Sequence, residues 1–384
     1  MTYSTSTFET EKFLWVQDVH FGTSALPLGA VTQSFKYVVD IAIRKKINRI
    51  VIGGDITDRP LTLSDDYASE YIVFVIWLLK ICALLGIEIV IIEGTPSHDW
   101  KQARIFEQIK AELELDVKLV YINTLSIIHL EGWGNVLIVP DQWRTKASTT
   151  FEEILTLMKE REIKSVDYAF MHGSFKYQMP KFLRNKLDLH DEEEFCKIVD
   201  KAILIGHDHH KSNYKKIHCA GSLERSSHGQ EDPKGAFFVE QLENGKPYIE
   251  FIRNDVAQVY KDLFVDGLDA NEILDKFNEL NLDLDKPAHV RLVSTTGLTI
   301  VSEFIKRYEK IYDNIIWSSK DLSKKGDSNS VAEIGETQLS FAKINLDINT
   351  ISTLLSKRLQ AKYGDEKTEH LKVILDEVID EVRT

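Results

Sequence analysis

Cysteine is scarce in this chain: three in 384 residues, Cys82, Cys196 and Cys219, widely spaced and odd in number. That excludes a disulfide framework and a cysteine zinc knuckle, and it fits a reducing compartment. Positive charge is also short, with 47 Lys and Arg against 60 Asp and Glu and a formal net charge of -13. Coating nucleic acid through bulk charge is thereby excluded. A local basic groove is not, and bound divalent cations would offset acidity at a site. Met1 to Thr10 is polar, with no basic start and no apolar core, so no signal peptide is expected and the expected location is cytoplasmic. The most apolar run, Tyr71 to Leu85, is too short to cross a bilayer and holds Lys80, so it reads as a buried helix. There is no internal repeat.

What is present is a series of apolar strands that end in His or Asp. A chain of 384 residues is too long for one ordinary core, so a large domain and at least one smaller one are expected. Lys12 to Gln17 reads as a strand running into Asp18-Val19-His20. The Asp-x-His spacing puts both side chains on one face of an extended segment. A helix is expected over Val31 to Lys46, then a strand ending in Gly53-Gly54-Asp55 and a polar turn closed by Pro60. A buried parallel strand ends in this way when it delivers a carboxylate to the carboxyl edge of a sheet. Asp66 to Leu85 is a second helix, stopped by Gly86, and Ile87 to Ile92 a third strand leading to Ser97-His98-Asp99. This alternation implies parallel pairing with right-handed crossovers.

The middle reads as more antiparallel, with a hairpin around Glu131 to Asn135. Val166 to Met171 delivers His172, and Ala202 to Ile205 delivers Gly206-His207-Asp208-His209-His210. Asn244-Gly245 marks a second hairpin. A large domain is therefore expected over 12–253. A small α+β domain follows over 254–317, then a flexible Ser-, Lys- and Asp-rich linker over 318–347 and a helical tail over 348–384. In the tail Leu371, Ile374, Leu375, Val378 and Val382 form an amphipathic stripe that nothing nearby in sequence would bury.

Carboxylate and imidazole without thiolate form a ligand set for hard or borderline divalent cations such as manganese, iron or zinc. Asp55 is expected to be shared by two ions, because a carboxylate can bind one with each oxygen. Asp18, His20 and His209 would complete one site, and His172 and His207 belong to the other. Such a pair activates a nucleophile and stabilises an in-line displacement at phosphorus. His98 is expected beside it, to neutralise charge on the phosphoryl oxygens or protonate the leaving alkoxide, with Asp99 orienting it. His129 is expected to be a core or cross-strand histidine, and His210 a neighbour of the site.

Taken together, Asp18-Val19-His20, Gly54-Asp55, Ser97-His98-Asp99, His172 and Gly206-His207-Asp208-His209 resemble the calcineurin-like metallophosphoesterases. The likeness spans roughly residues 12 to 252. A narrower resemblance is to the SbcD-type nuclease subunit of double-strand-break repair complexes. It is carried by Gln17 to Gly22, Gly54 to Pro60, His172-Gly173-Ser174, Ala220 to Arg225 and Lys234-Gly235. It implies an α/β fold with a layered β-sandwich flanked by helices, a small DNA-capping domain and C-terminal helices that dock on an ATPase. The implied activity is a manganese-dependent exonuclease and endonuclease on DNA ends, with magnesium, iron or zinc as other candidate ions. The implied partners are DNA, an SMC-type coiled-coil ATPase and a second copy of the chain, in a bacterial or phage-infected cytoplasm. One departure stands out. The family's Asn, which gives an amide oxygen to the second metal, is replaced by Ser97, and Thr95-Pro96 lengthens the loop, so a looser second site is expected.

Two other readings compete. Gly54-Asp55-Ile56-Thr57-Asp58-Arg59 also resembles the phosphatase stretch, so a small-substrate phosphodiesterase or a protein phosphatase could use the same core. Pro60 and Asp99 depart from that pattern. A non-catalytic scaffold for the ATPase is the third, disfavoured by the complete His and Asp set.

Overall fold

The computed structural model describes residues 11–323, apart from 63, 142–146, 185, 285 and 298. Strands and helices alternate first: β1 (Lys12–Val16), α1 (Ala30–Arg44), β2 (Arg49–Gly53), α2 (Asp66–Leu85), β3 (Glu88–Ile92), α3 (Ile105–Glu112) and β4 (Leu119–Ile122). Next come β5 (Ser126–Leu130), β6 (Gly134–Val139), α4 (Ala147–Glu160), β7 (Val166–His172), α5 (Glu192–Ile198) and β8 (Val199–Gly206). Four strands follow, β9 (Ser212–Tyr214), β10 (Ile217–Cys219), β11 (Gly235–Gln241) and β12 (Pro247–Arg253). Last are β13 (Val259–Phe264), α6 (Ala270–Glu279), β14 (Ala288–Ser294), α7 (Thr299–Tyr308) and β15 (Ile315–Asp321).

The protein is α/β, with mixed sheets flanked by helices. The first sheet has the order β12-β11-β1-β2-β3-β4, parallel from β1 to β4, with β11 and β12 antiparallel. The second has the order β5-β6-β7-β8-β10-β9. Strand alternation explains how the two stack. Phe13 and Trp15 of β1 point one way and join Val51 and Val90 against Val136, Ile138, Phe170 and Leu204 of the second sheet. Leu14 and Val16 point the other way, packing with Phe35 and Val38 of α1 and Phe74 and Leu78 of α2. The far face of the second sheet presents Leu137, Ala169 and Ile203 to Ile154 and Met158 of α4 and Phe195 of α5. Both sheets are thus covered on both faces, which is why their central strands read as unbroken apolar runs.

Several expectations are corrected. The middle of the chain is not mainly antiparallel: β6-β7, β7-β8 and β8-β10 are parallel, and only β5-β6 and β10-β9 are antiparallel. The small β13-β14-β15 sheet is wholly parallel, with its own apolar cluster around Ile273, Phe277, Val290, Leu292 and Phe304. Its last strand runs to Asp321, so 318–321 is strand and not linker. The rest of the expected linker past Ser323, and the whole expected tail, lie outside the described residues. Helix α2 reaches 20 residues and is long and apolar enough to span a bilayer by length and composition, yet one face packs Tyr71, Phe74, Leu78 and Cys82 into the core.

Candidate metal centre

The site forms where the carboxyl ends of β1, β2, β7 and β8 meet. The loops after β1 and β2 are zipped together by backbone bonds: Asp18 N to Gly54 O at 3.1 Å, Val19 N to Asp55 O at 2.9 Å and Phe21 N to Ile56 O at 2.9 Å. Asp18, His20, Asp55 and His207 all have left-handed φ values of 47, 56, 50 and 105°. Such outliers cost on the order of 1–3 kcal/mol each and persist where the surroundings over-determine them. Two glycines supply clearance. A Cβ on Gly54 would lie 2.3 Å from His172 Nδ1, and one on Gly94 would lie 2.0 Å from Asp55 N.

Among the described residues, three sets of His and acid side chains could each hold an ion: Asp18, His20 and His209; Asp55, His172 and His207; and His20, Asp58 and His98. Asp18, His20 and His209 meet in one group, and Asp55, His172 and His207 in another. Asp55 falls in the second group only. In the first group His20 Nε2 and His209 Nε2 face each other at 2.9 Å. Asp18 is held by the His207 backbone N–H, 3.0 Å from each oxygen, and by Gln17 Nε2 at 2.8 Å. In the second, His172 Nε2 is 3.2 Å from Asp55 Oδ1, while its Nδ1 is 2.8 Å from the Gly53 carbonyl. A backbone acceptor at Nδ1 directs Nε2 to the site, an arrangement common to metal-binding histidines. No thiol belongs to these groups, so the donors suit a hard or borderline divalent cation.

The charges point the same way. Burial lifts the Asp18 carboxyl to about 6, with the Asp55 charge adding to it, against the pull of His172. Burial opposes charge on Asp55 too, but His172, His20 and His98 outweigh it and hold that carboxyl well below its usual range. His172 is pulled down by burial and lifted further by Asp55, to about 10. His20 likewise is lifted against burial to about 9 by Asp58, Asp55 and Asp18. Burial instead carries His207 down to about 4, with the His172 charge helping, and takes His209 well below its ordinary value. Without cations, two imidazolium groups balance the buried carboxylates.

Two expected roles are not found. Ser97 is solvent-exposed; the hydroxyl that enters the second group is that of Thr95, which is 1% exposed. Thr95 Oγ1 lies 3.2 Å from Asp55 Oδ2, 3.3 Å from His172 Nε2 and 3.4 Å from His207 Nδ1. Asp99 does not orient His98. Its carboxylate is buried and accepts three backbone N–H groups, from Asp55 at 3.0 Å, Thr57 at 3.0 Å and Gly94 at 2.7 Å. The carboxylate near His98 is Asp58, which also lies 3.3 Å from His20 Nδ1. His98 Nδ1 is buried with no hydrogen-bond partner among the described residues, and burial lowers the ring's proton affinity.

Sequence reasoning also missed Lys234 and Asp141. Lys234 is fully buried; its Nζ donates to the His209 carbonyl at 2.7 Å and pairs with Asp232 at 3.0 Å. Asp232 in turn holds His210 at 3.2 Å, so His210 is a neighbour as expected. Lys234 stood in a recognised stretch at the head of β11, and a lysine beside a buried strand was the available signal. His129 is exposed and cross-strand, opposite Asn135.

No protein-family model and no curated protein matches this chain. Solved structures with some likeness include TT1561 of Thermus thermophilus, at 12% identity and a TM-score of 0.39, covering 63% of this chain and 99% of that one. Another is GAP50, the anchor in the inner membrane complex of Plasmodium, at 12% identity and a TM-score of 0.36, covering 71% and 95%. Likeness this slight carries no argument about fold or function. What stands on the geometry is a buried centre of His and Asp groups positioned so that they could hold a metal ion.

Proposed function

We propose that this protein is a dinuclear metal-dependent phosphodiesterase of the calcineurin-like class, acting as a DNA nuclease of the SbcD type. The observation that carries the reading is the convergence of Asp18 and His20, Asp55, His172, and His207 and His209 from four strand ends of two stacked sheets. The helix-sheet-sheet-helix layering is consistent with that class. Bound divalent cations, manganese first, supply Lewis-acid activation of water and positive charge for the phosphoryl oxygens.

The chain's own groups do the rest. Asp18, His20 and His209 would hold one ion, and Asp55, His172 and His207 the other. Asp99 fixes the backbone around Asp55 through three N–H groups, so the carboxylate of Asp55 is delivered with little freedom. His98, close to His20 and Asp58, contacts the phosphoryl or leaving oxygen. Its lowered proton affinity makes it a neutral hydrogen-bond donor at neutral pH. On this reading the β13-β14-β15 region is the DNA-capping domain; it is tied to the body by His228–Asp262 at 2.8 Å and Lys261–Glu231 at 3.0 Å. DNA, a coiled-coil ATPase docked on residues 348–384 and a second copy of the chain are the partners this reading entails, in a cytoplasmic setting.

A phosphatase or small-substrate phosphodiesterase is the second reading, favoured by Asp58 beside His98. The test is hydrolysis of linear DNA and of a small diester, with manganese and with magnesium, by the full chain and by His98→Ala. DNA degradation with manganese that falls about 100-fold or more in His98→Ala is expected. Cleavage of the small ester alone sinks the nuclease reading, and undiminished activity in His98→Ala removes the role given to His98.

A further inference from the structure

The second group of the centre contains one oxygen that the expected ligand pattern does not provide for. Thr95 is buried, its backbone N–H donates to Asp55 Oδ1, at 2.5 Å, and its hydroxyl sits within 3.4 Å of Asp55, His172 and His207. A hydroxyl has one proton and two lone pairs. For it to turn a lone pair toward the space these three residues share, its proton needs an acceptor on another side. The hydroxyl donates to Asp55 Oδ2 at 3.2 Å; Asp141, just past the end of β6, is the other acceptor at Thr95, whose hydroxyl favours its charged carboxylate, and it would take the proton once Asp55 is committed to an ion. Ser97, two residues further along, is solvent-exposed.

We infer that Thr95 Oγ1 is the neutral oxygen donor of the second metal group and that Asp141 is its positioning residue, holding the Thr95 proton so that a lone pair faces the ion. The pair takes the place of a single amide side chain. An amide presents its oxygen without needing a partner, whereas a hydroxyl must be oriented, and a charge-assisted O–H···O⁻ bond does this strongly. The inference rests on the dinuclear reading above and deepens it.

The test is manganese binding by the full chain, read as stoichiometry and affinity by calorimetry and as an exchange-coupled pair by electron paramagnetic resonance. With two ions per wild-type chain, Thr95→Ala and Asp141→Asn should each weaken the second ion about 10- to 100-fold and diminish the coupled signal. Thr95→Ser, which keeps the hydroxyl, should retain both, and Ser97→Ala should behave as wild type. Melting of each variant in chelator separates loss of a ligand from loss of the fold; if Thr95→Ala melts early, the contrast between Thr95→Ser and Asp141→Asn decides. Two tight ions in Thr95→Ala, or a lost second ion in Ser97→Ala, overturns the assignment of Thr95. An unchanged Asp141→Asn overturns that of Asp141. A wild-type chain that binds no manganese defeats the dinuclear reading itself, which is a different result.

Discussion

Metal binding at this centre should expel protons, and the number follows from the charges. In the metal-free protein His20 and His172 are lifted to about 9 and about 10, so both carry a proton at pH 7. His207 and His209 are already neutral. Each cation therefore displaces one proton, about two per chain. The joint apparent affinity for two ions should rise about 100-fold per pH unit near neutrality, tenfold for each proton released, and flatten above pH 9 to 10. The stability sign runs the other way in the metal-free chain. Both histidines have folded values above the unfolded one, so their contribution is complete below about 6.5 and is lost as pH rises through about 9 and about 10. At about 1.4 kcal/mol per factor of ten in proton affinity, this amounts to several kcal/mol. Titration of manganese into chelator-treated protein, in buffers of different ionisation enthalpy at pH 7, measures the proton count as the slope of observed heat against buffer enthalpy. A slope near zero refutes the reasoning, because the two imidazolium groups would then not occupy the place of the ions.

Three further outcomes are expected. Gly94→Ala puts a methyl group 2.0 Å from the Asp55 backbone nitrogen, so the loop must shift; manganese affinity should fall at least tenfold, as read by equilibrium dialysis. Asp99→Ala orphans three buried N–H groups, and at about 1 kcal/mol or more each the loss should be on the order of 3 kcal/mol in urea unfolding. Relief of a buried carboxyl lifted to about 7 by burial and by the Asp55 charge offsets part of that loss at pH 8 and less at pH 5, so the deficit should grow as pH falls. Removing the residues after Asn349 should abolish co-purification with a coiled-coil ATPase while sparing manganese-dependent cleavage; retained association returns that stripe to packing against its own chain.

Much of the architecture was legible because burial writes itself plainly into strands covered on both faces. Val51-Ile52-Gly53 and Ile89 to Ile92 could hardly be anything else, and Gly86 marks the end of α2 through its left-handed φ of 67°. Polar edge strands were hidden. Ser318 and Lys320 of β15 are partly exposed and Ser319 is exposed, so the end of this strand looks like linker composition. The short, weakly apolar helix α3 failed for a similar reason, since Phe106 is its only buried residue. At the site, ligands next to strand ends were readable because strand geometry dictates where they point. Within the Gly94–Asp99 loop no repeat governs direction, so nothing in the order Thr95-Pro96-Ser97 told which hydroxyl turns inward. Asp99 was misread because a carboxylate bound to main-chain N–H groups leaves no trace in sequence, whereas Asp58 sat within a recognised stretch and could have been weighed.

The left-handed backbone at Asp18, His20, Asp55 and His207 bears on how this centre can be redesigned. Asp, Asn and His tolerate that region far better than branched side chains do. Exchanging Asp18 or Asp55 for Asn alters coordination while leaving the main-chain path alone. Exchanging either for Val or Thr attacks the path itself, so metal binding lost in such a swap reports on torsion angles and says nothing about which atom would grip an ion.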